Sequence, residues 1–424
     1  MGTLGPPDYP IKIGIFHLSL NPCGGAERLA LELSRSLKEN NYLVELVVTE
    51  KSNWRRISAI LGFGTEVVDR EIIIPPLITL PTIYSKFFYW LLRDVLFFPL
   101  IRRRYDVTIT TMQTVPLIFS DILYVQAPDF MPYFFGRCYK KYSTGGMRAY
   151  YLPFEALCNL FIKLFRGLSR KPLILVNSKC IQEDFRTRLN VNSMVVYPPV
   201  DTEVYYRLSR VGGRSNIVLT VSRIEEGKGL HLVPVLASRV RNSKFVIIGS
   251  AGRGSGRYVH EIAGKAEQLG VKDRVTIIPD ATENVKRDLL SKAKIYLHTM
   301  TLEPFGMSIV EAMSSGLVPV VPRSGGPWLD ILDETEGVYG YAYDCTEEAS
   351  AVIVRLLENE KLRTEVSGRA VERAGLFDSW MFEKKIAGIV RRLTEAKKIN
   401  KAVAGRCVLT LTGGRGRLSC AKST

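Results

Sequence analysis

The sequence alternates short apolar strands with helical segments, and it does so in two separate series. The first series has apolar runs at 11–20, 43–50, 105–111, 121–126 and 173–178, and the second has them at 216–223, 244–250, 274–280, 294–300 and 317–323. Strands separated by helical lengths are typical of parallel sheets with helices on both faces. The pattern therefore predicts an α/β fold of two doubly wound, Rossmann-like domains.

The length of the chain agrees with two domains. A chain of 424 residues is too long for one ordinary hydrophobic core. Glycine and basic residues interrupt the pattern at 205–216, so we predict an N-terminal domain at 1–204, a C-terminal domain at 205–380 and a basic, mobile tail at 399–424. Ligands of such sheets bind outside the carboxyl ends of the strands, and we therefore expect the site in a cleft between the domains.

The chain is strongly basic. Lys and Arg outnumber Asp and Glu by 58 to 42, giving a formal net charge of +16. Such a charge favours nucleic acid, phosphorylated ligands or an acidic lipid surface without choosing among them. The seven cysteines form no pattern typical of a disulfide framework or a zinc site, and the N-terminus lacks a secretory pattern. We expect a reducing, cytoplasmic location.

Two stretches of the first half combine aromatic and basic residues. Residues 71–104 are strongly apolar, but prolines and charges leave no uninterrupted run of about 18 apolar residues for a membrane span. Residues 147–171 resemble an interfacial helix. A buried helix or a lid between the domains is the alternative, and we favour contact with a membrane surface because both stretches lie in one half of the chain and end in basic residues, at 102–104 and 170–171.

The stretch "LEPFGMSIVEAMSSGLVPVV" (302–321) carries two acids, Glu303 and Glu311. Glu303 follows a predicted strand, and Glu311 lies in a helix that begins near Gly306. The first amides of that helix have no partner within it and favour an anion. Alternatively, Ser308 and Glu311 form a capping box and Glu303 is an ordinary loop residue.

Two further segments follow predicted strands. Arg223 and Lys228 come after the strand at 216–221, where their cations could hold a pyrophosphate. A solvated basic turn explains them equally well in isolation. Gly24 and Gly25 allow close backbone approach before a helix N-terminus, although a purely structural turn is the more common use of such a pair.

Taken in order, these segments resemble the retaining glycosyltransferases of the GT-B fold, family four. The resemblance covers about residues 11–395 and depends on "GGAER", "SRIEEGKG", "EPFGMSIVEAMSSGLVPV" and "SGGP". It implies that a last helix at 381–398 crosses back onto the N-terminal domain. Within the family, the sequence is most similar to the branch of α-1,2-mannosyltransferases that extends dolichol-linked oligosaccharide from GDP-mannose.

The resemblance implies catalytic roles for Arg223, Lys228 and Glu303. The sugar–phosphate bond breaks with negative charge growing on the leaving phosphate, so the fixed cations of Arg223 and Lys228 would stabilise the transition state. Glu303 would orient the donor sugar.

The resemblance also implies the remaining donor and acceptor contacts. The amides of Phe305, Gly306 and Met307 would bind the donor sugar. The carboxylate of Glu311 would accept hydrogen bonds from the ribose hydroxyls, and Gly24 and Gly25 would lie near the donor phosphate. Gln126 stands where the family often has a histidine, and its amide can still donate a hydrogen bond to the transferred sugar.

The implied partners are a nucleotide sugar, a lipid-linked glycan acceptor and the anionic cytoplasmic surface of a membrane, with no nucleic acid. The sequence contains no Asp-x-Asp pair, and we expect transfer without a metal or other cofactor. Two alternatives remain open: the same fold with a UDP-sugar and a polysaccharide or small-molecule acceptor, or a non-catalytic basic module that binds nucleic acid or lipid.

Overall fold

The computed structural model describes residues 10–74, 98–111, 120–126, 172–252 and 254–412. Most of the predicted stretch 71–104 and all of 147–171 lie outside the described residues. Within the described part, no helix has both the length and the apolar composition needed to cross a membrane.

The first domain contains a parallel sheet. Its strands are Lys12–Phe16 (β1), Leu43–Val48 (β2), Arg70–Ile73 (β3), Val107–Thr110 (β4), Ile122–Val125 (β5), Leu173–Val176 (β6) and Met194–Val195 (β7), and its described helices are Gly25–Glu39 (α1), Trp54–Leu61 (α2), Phe98–Arg102 (α3) and Lys179–Asp184 (α4). The strand order is β3-β2-β1-β4-β5-β6-β7, and all neighbouring pairs are parallel. The central order is that of a doubly wound sheet.

The second domain repeats the arrangement. Its strands are Ile217–Val221 (β8), Lys244–Gly249 (β9), Val275–Pro279 (β10), Ile295–Leu297 (β11), Val318–Pro322 (β12) and Tyr341–Tyr343 (β13), and its helices are Thr202–Ser209 (α5), Leu232–Arg239 (α6), Ser255–Gln268 (α7), Glu283–Lys292 (α8), Met307–Ser314 (α9), Thr346–Glu358 (α10) and Glu360–Ala374 (α11). The order is β10-β9-β8-β11-β12-β13, again with all pairs parallel. The predicted α/β class with two doubly wound sheets is confirmed.

Each sheet is covered by apolar helix faces. On α1 the stripe of Leu29, Leu33 and Leu37 is fully buried in the core of the first domain, as the helical spacing predicts. A final helix, Ser379–Thr412 (α12), adds Phe382 and Ile386 to that same core. The last helix therefore follows the second domain in sequence but packs on the first.

The chain crosses between the domains at two adjacent points. Val200 and Asp378 form an isolated parallel bridge, and the chain enters the second domain at Val200. The predicted boundary at 204/205 would divide α5, whose Tyr205 is buried in the second core. At the other end, α12 continues to Thr412, so the predicted tail begins too early. The sequence from 399 onward has no clear apolar periodicity and therefore does not predict this continuation of the helix.

Asp330 ties the two domains together near these crossings. It lies in a single π-helical turn, Pro327–Ile331, of the second domain and is fully buried. Its two carboxylate oxygens accept hydrogen bonds from the amides of Lys179, at 2.7 Å, and Cys180, at 3.3 Å. These amides open α4 of the first domain, where an anion is favoured.

We predict that Asp330→Ala lowers the free energy of unfolding by about 1–2 kcal/mol, because two helix-terminal amides lose a charged acceptor. Asp330→Asn keeps one acceptor oxygen and should lose less. Denaturant unfolding measures both, with Asp273→Ala, an exposed aspartate in the second domain, as the matched control. Equal stability of the Asp330→Ala variant and the control would contradict the assignment.

Candidate active site

The parallel order of the second sheet brings the predicted catalytic residues to one edge. Strands β8 and β11 are hydrogen-bonded neighbours, so the loops after Val221 and after Leu297 leave the sheet side by side. The first loop carries Arg223 and Lys228, and the second carries Glu303. Residues separated by some 75 positions in the sequence therefore meet because parallel strands end at the same edge.

Lys228 and Glu303 form an ion pair at this edge. The Lys228 Nζ lies 2.7 Å from Glu303 Oε2, and the two side chains are only 14% and 15% exposed. The sulfur of Met300 lies 3.1 Å from the same ammonium. Burial alone would raise the pKa of Glu303, but Lys228 and His298 hold that pKa well below its ordinary value. Glu303 is therefore an anion that can accept hydrogen bonds from hydroxyl groups.

A second loop supports the backbone of Glu303. The amide of Gly326 donates to the carbonyl of Glu303 at 2.9 Å, and the amide of Leu302 donates to Ser324 Oγ at 3.1 Å. Gly325 has a φ of +68°, and a Cβ there would lie 2.5 Å from the Glu303 carbonyl oxygen. The "SGGP" segment therefore requires glycine because it packs directly on the loop that carries Glu303.

The segment Gly24–Arg28 of the first domain faces these residues from across the cleft. A Cβ on Gly24 would lie 3.0 Å from the Arg223 side chain, and one on Gly25 would lie 3.7 Å from the Met307 sulfur. Gln126, also in the first domain, donates from its Nε2 to the Ala26 carbonyl at 3.4 Å. One short turn thus contacts predicted residues from both domains.

Arg28 extends these contacts into a buried cluster of charges. Its guanidinium lies 3.2 Å from Glu283 and 3.5 Å from Glu311. Lys286 contacts the same two carboxylates, at 2.9 and 3.2 Å. The hydroxyl of Tyr205 lies between the two acids and can donate its hydrogen to either, at 2.9 Å from Glu283 and 3.1 Å from Glu311. Two acids and two cations are therefore paired at the junction of α1, α8 and α9.

Glu311 belongs to this cluster instead of capping its own helix. The helix begins at Met307 with Gly306 as its N-cap, and Gly306 has a φ of +98°. Ser308 therefore lies inside the first turn, where its hydroxyl is 2.7 Å from that of Tyr296. The capping-box alternative does not form. With a side chain only 5% exposed, Glu311 faces the domain junction, and its contact with ribose remains a prediction.

The turn before α9 is held in place by aromatic packing. The Phe305 ring is 2% exposed and stacks on Tyr197 with ring centroids 5.6 Å apart. The ring fixes the start of the helix, so the backbone of Phe305, Gly306 and Met307 occupies the position beside Glu303. The first amides of a helix have no intrahelical acceptor, which leaves them suited to bind a ligand oxygen.

Arg223 is an exposed residue of the predicted site. Its side chain is 43% exposed, and its guanidinium lies 3.1 Å from Glu225. Lys228 is tied to Glu303, whereas Arg223 stands at the mouth of the site beside Gly24. An exposed guanidinium can form bidentate hydrogen bonds to phosphate.

Three residues near the predicted site, His17, Glu27 and His298, are not among those predicted from the sequence. Glu27 accepts the Gly24 amide at 2.6 Å, and His17 Nε2 lies 3.7 Å from its other oxygen. Burial alone would raise the pKa of Glu27, but His17 and Arg223 keep that pKa below its ordinary value. Both histidines directly follow strands, β1 and β11. Residues at the carboxyl ends of the strands line the ligand site of such sheets, so this position in the sequence could have indicated them.

The side chains that the structure describes include no group of three or more histidine, cysteine, aspartate or glutamate residues arranged to hold a metal ion. The charges of the site are instead grouped as cations facing acids, in the Lys228–Glu303 pair and in the cluster around Arg28.

The chain is similar in sequence and in fold to known glycosyltransferases. The family described as "Glycosyl transferases group 1" matches residues 208–373. The chain is 24% identical over 255 residues to the Dictyostelium discoideum GDP-Man:Man(3)GlcNAc(2)-PP-Dol alpha-1,2-mannosyltransferase, covering 55% of this chain and 50% of that protein. It is 27% identical over 193 residues to the Mus musculus protein of the same name, covering 42% of this chain and 39% of that protein. The chain thus spans half or less of the length of these relatives.

A solved structure matches nearly the whole chain. Anabaena Alr3699/HepE, in complex with UDP and glucose, superposes with a TM-score of 0.68 at 18% identity, over 90% of this chain and 99% of that one. At this identity the match concerns the fold, and it includes both domains. Residues 208–373 therefore form a glycosyl transferases group 1 domain within a chain of the GT-B glycosyltransferase fold.

Proposed function

We propose that this protein is a retaining mannosyltransferase that moves mannose from GDP-mannose onto a lipid-linked oligosaccharide. The observation that carries the proposal is the turn Gly24–Arg28, which contacts Arg223, Met307, Gln126 and the Glu311 cluster at once. The donor and sugar-orienting groups of both domains therefore converge on one cleft. The names of the relatives in Dictyostelium and mouse support the choice of donor and acceptor.

The cations of the second domain account for binding of the diphosphate. Arg223 and Lys228 follow the carboxyl end of β8; the Arg223 side chain lies beside Gly24, and the Lys228 ammonium lies beside Glu303. Negative charge grows on the diphosphate as its bond to the sugar breaks. Cations fixed in advance stabilise that charge more in the transition state than in the ground state.

The acids account for binding of the sugar and the ribose. Glu303 is ionised and buried beside Lys228, so it can accept hydrogen bonds from sugar hydroxyls while the amides of the α9 turn donate to them. Glu311 would accept hydrogen bonds from the ribose hydroxyls. That contact requires Glu311 to exchange part of its pairing with Arg28 and Lys286 for the nucleotide.

The first domain would receive the acceptor. Gly24 and Gly25 bring the backbone close to Arg223 and Met307, where the acceptor hydroxyl would arrive. Gln126 lies against the same segment, with an amide that can donate to the transferred sugar. A lipid-linked acceptor lies at a membrane surface. The net charge of +16 and the aromatic-basic stretches 71–104 and 147–171 support contact with an anionic, cytoplasmic leaflet.

Transfer would need no metal ion. Divalent cations serve glycosyl transfer by neutralising the diphosphate, and here two fixed side-chain cations, Arg223 and Lys228, can supply that charge. The sequence also lacks the Asp-x-Asp pair that would hold a nucleotide-bound metal.

We predict that, in a panel of nucleotide sugars with purified acceptor lipid, only GDP-mannose yields substantial nucleotide release, and that EDTA leaves the rate unchanged. The measurement is released nucleotide per enzyme. Release from UDP-glucose would favour the alternative donor, and a loss of activity in EDTA would contradict metal independence. Strong, salt-dependent RNA binding without any nucleotide release would favour a non-catalytic basic module.

We predict that Lys228→Ala lowers turnover about a hundredfold, the loss typical of one fixed charged donor. Melting should also shift downward, because Glu303 then keeps a partly buried charge without its closest cation. Turnover and thermal melting are measured on the same preparation, with Lys272→Ala, an exposed ion-paired lysine, as the control.

The double variant Lys228→Met with Glu303→Gln separates stability from catalysis. Removing both charges leaves no unpaired ion, so melting should recover while turnover stays low. Full turnover in Lys228→Ala would refute the role of this lysine.

We predict that the protein floats with phosphatidylserine-containing liposomes and not with neutral ones. Replacing Tyr150, Tyr151, Phe154, Phe161 and Phe165 by serine should abolish flotation, because interfacial binding scales with buried apolar area. Release of GDP from GDP-mannose without acceptor is measured beside it as a folding control. Flotation that survives these changes would place the membrane contact elsewhere.

A further inference from the structure

His298 is a buried histidine whose ring is left without hydrogen bonds. It directly follows β11, is 3% exposed, and neither Nδ1 nor Nε2 has a hydrogen-bond partner in the described part of the chain. Buried side-chain nitrogens are normally paired. Packing alone does not explain a buried imidazole whose two nitrogens lack such partners among the described residues, and a functional role toward a neighbouring group would explain it.

The ring is held rigidly in its place. The backbone amide of His298 donates to the Val320 carbonyl at 2.9 Å, and its own carbonyl accepts from the Tyr343 hydroxyl at 2.7 Å. The imidazole lies nearly parallel to the Tyr296 ring, with a centroid separation of 6.5 Å and an interplanar angle of 15°. Neighbouring strands and an aromatic ring thus fix where the imidazole nitrogens lie.

An oxygen of the Glu303 carboxylate lies close to the ring. His298 Nε2 lies 3.4 Å from Glu303 Oε2, the same oxygen that Lys228 Nζ approaches at 2.7 Å. The contact is long for a hydrogen bond, and contacts of catalytic groups are often long before substrate binds. Two donors thus converge on Oε2 and leave Oε1 as the oxygen available to a ligand.

We propose that His298 is a positioning residue for Glu303. Its Nε2–H holds Oε2 together with Lys228, so that the carboxylate keeps one rotamer and presents Oε1 to the donor sugar. The inference rests on the proposed function, in which Glu303 contacts that sugar. His298 itself touches neither the sugar nor the phosphate, and its loss should weaken recognition of the sugar without weakening recognition of the nucleotide.

Three substitutions separate the two ring nitrogens. His298→Gln places an amide donor near the position of Nε2, His298→Asn places one near Nδ1 only, and His298→Phe keeps the ring shape without a donor. If Nε2–H positions Glu303, Gln retains function while Asn and Phe lose it. A role in packing alone predicts the opposite order, with Phe the best tolerated.

The measurement is calorimetric binding of GDP and of GDP-mannose to the full chain, together with turnover and thermal melting. For His298→Phe and His298→Asn we expect unchanged affinity for GDP and affinity for GDP-mannose reduced about tenfold, the size expected for one hydrogen bond to a charged group. His298→Gln should remain near the wild type. His260→Phe, at an exposed position on α7, is the control.

The outcomes distinguish this inference from the proposed function. If the wild type binds GDP-mannose and His298→Asn has the same ratio of GDP-mannose affinity to GDP affinity, the positioning role is wrong. The proposed function is unaffected by that result. Failure of the wild type to bind any nucleotide sugar overturns both. Should His298→Phe fail to fold, the Asn and Gln variants carry the same comparison.

Discussion

The ion pair between Lys228 and Glu303 is the interaction on which the site depends. It joins the loops after two neighbouring strands, β8 and β11, at 2.7 Å in a place where water has limited access. A carboxylate at such a depth requires a nearby cation to stay ionised. The pair therefore keeps an ionised acid beside a cation, which is the combination that the proposed binding of a nucleotide sugar requires.

A second group of charges connects the domains. Arg28 reaches from the first domain to Glu283 and Glu311 of the second, and Asp330 reaches from the second to the amides that open α4 of the first. Both contacts are buried, and each keeps the two domains at a fixed separation for as long as the contact is formed. Since Glu311 is also the predicted ribose ligand, nucleotide binding and domain spacing would compete for one carboxylate.

The two domains present similar chemistry to the cleft. Each places a buried histidine near a carboxylate, His17 near Glu27 in the first domain and His298 near Glu303 in the second. The repetition follows from the fold, because in each pair the histidine directly follows a strand and the carboxylate lies in the loop or helix that comes after that same strand. The carboxyl end of a strand in a doubly wound sheet can therefore hold a polar pair. The side chains around that pair determine whether it binds a sugar, a phosphate or no ligand.

The sequence by itself determined the fold class, the two strand–helix series and most strands, because apolar periodicity and turn residues are local properties of the chain. It also suggested Arg223, Lys228, Glu303 and the glycines at 24 and 25 as candidates, since each follows a predicted strand and their order along the chain resembles a known family. The pairing of Lys228 with Glu303 and the burial of Glu311 against Arg28 were decided only by the tertiary structure. These contacts join residues far apart in sequence, and their energies depend on burial and distance, which no local pattern contains.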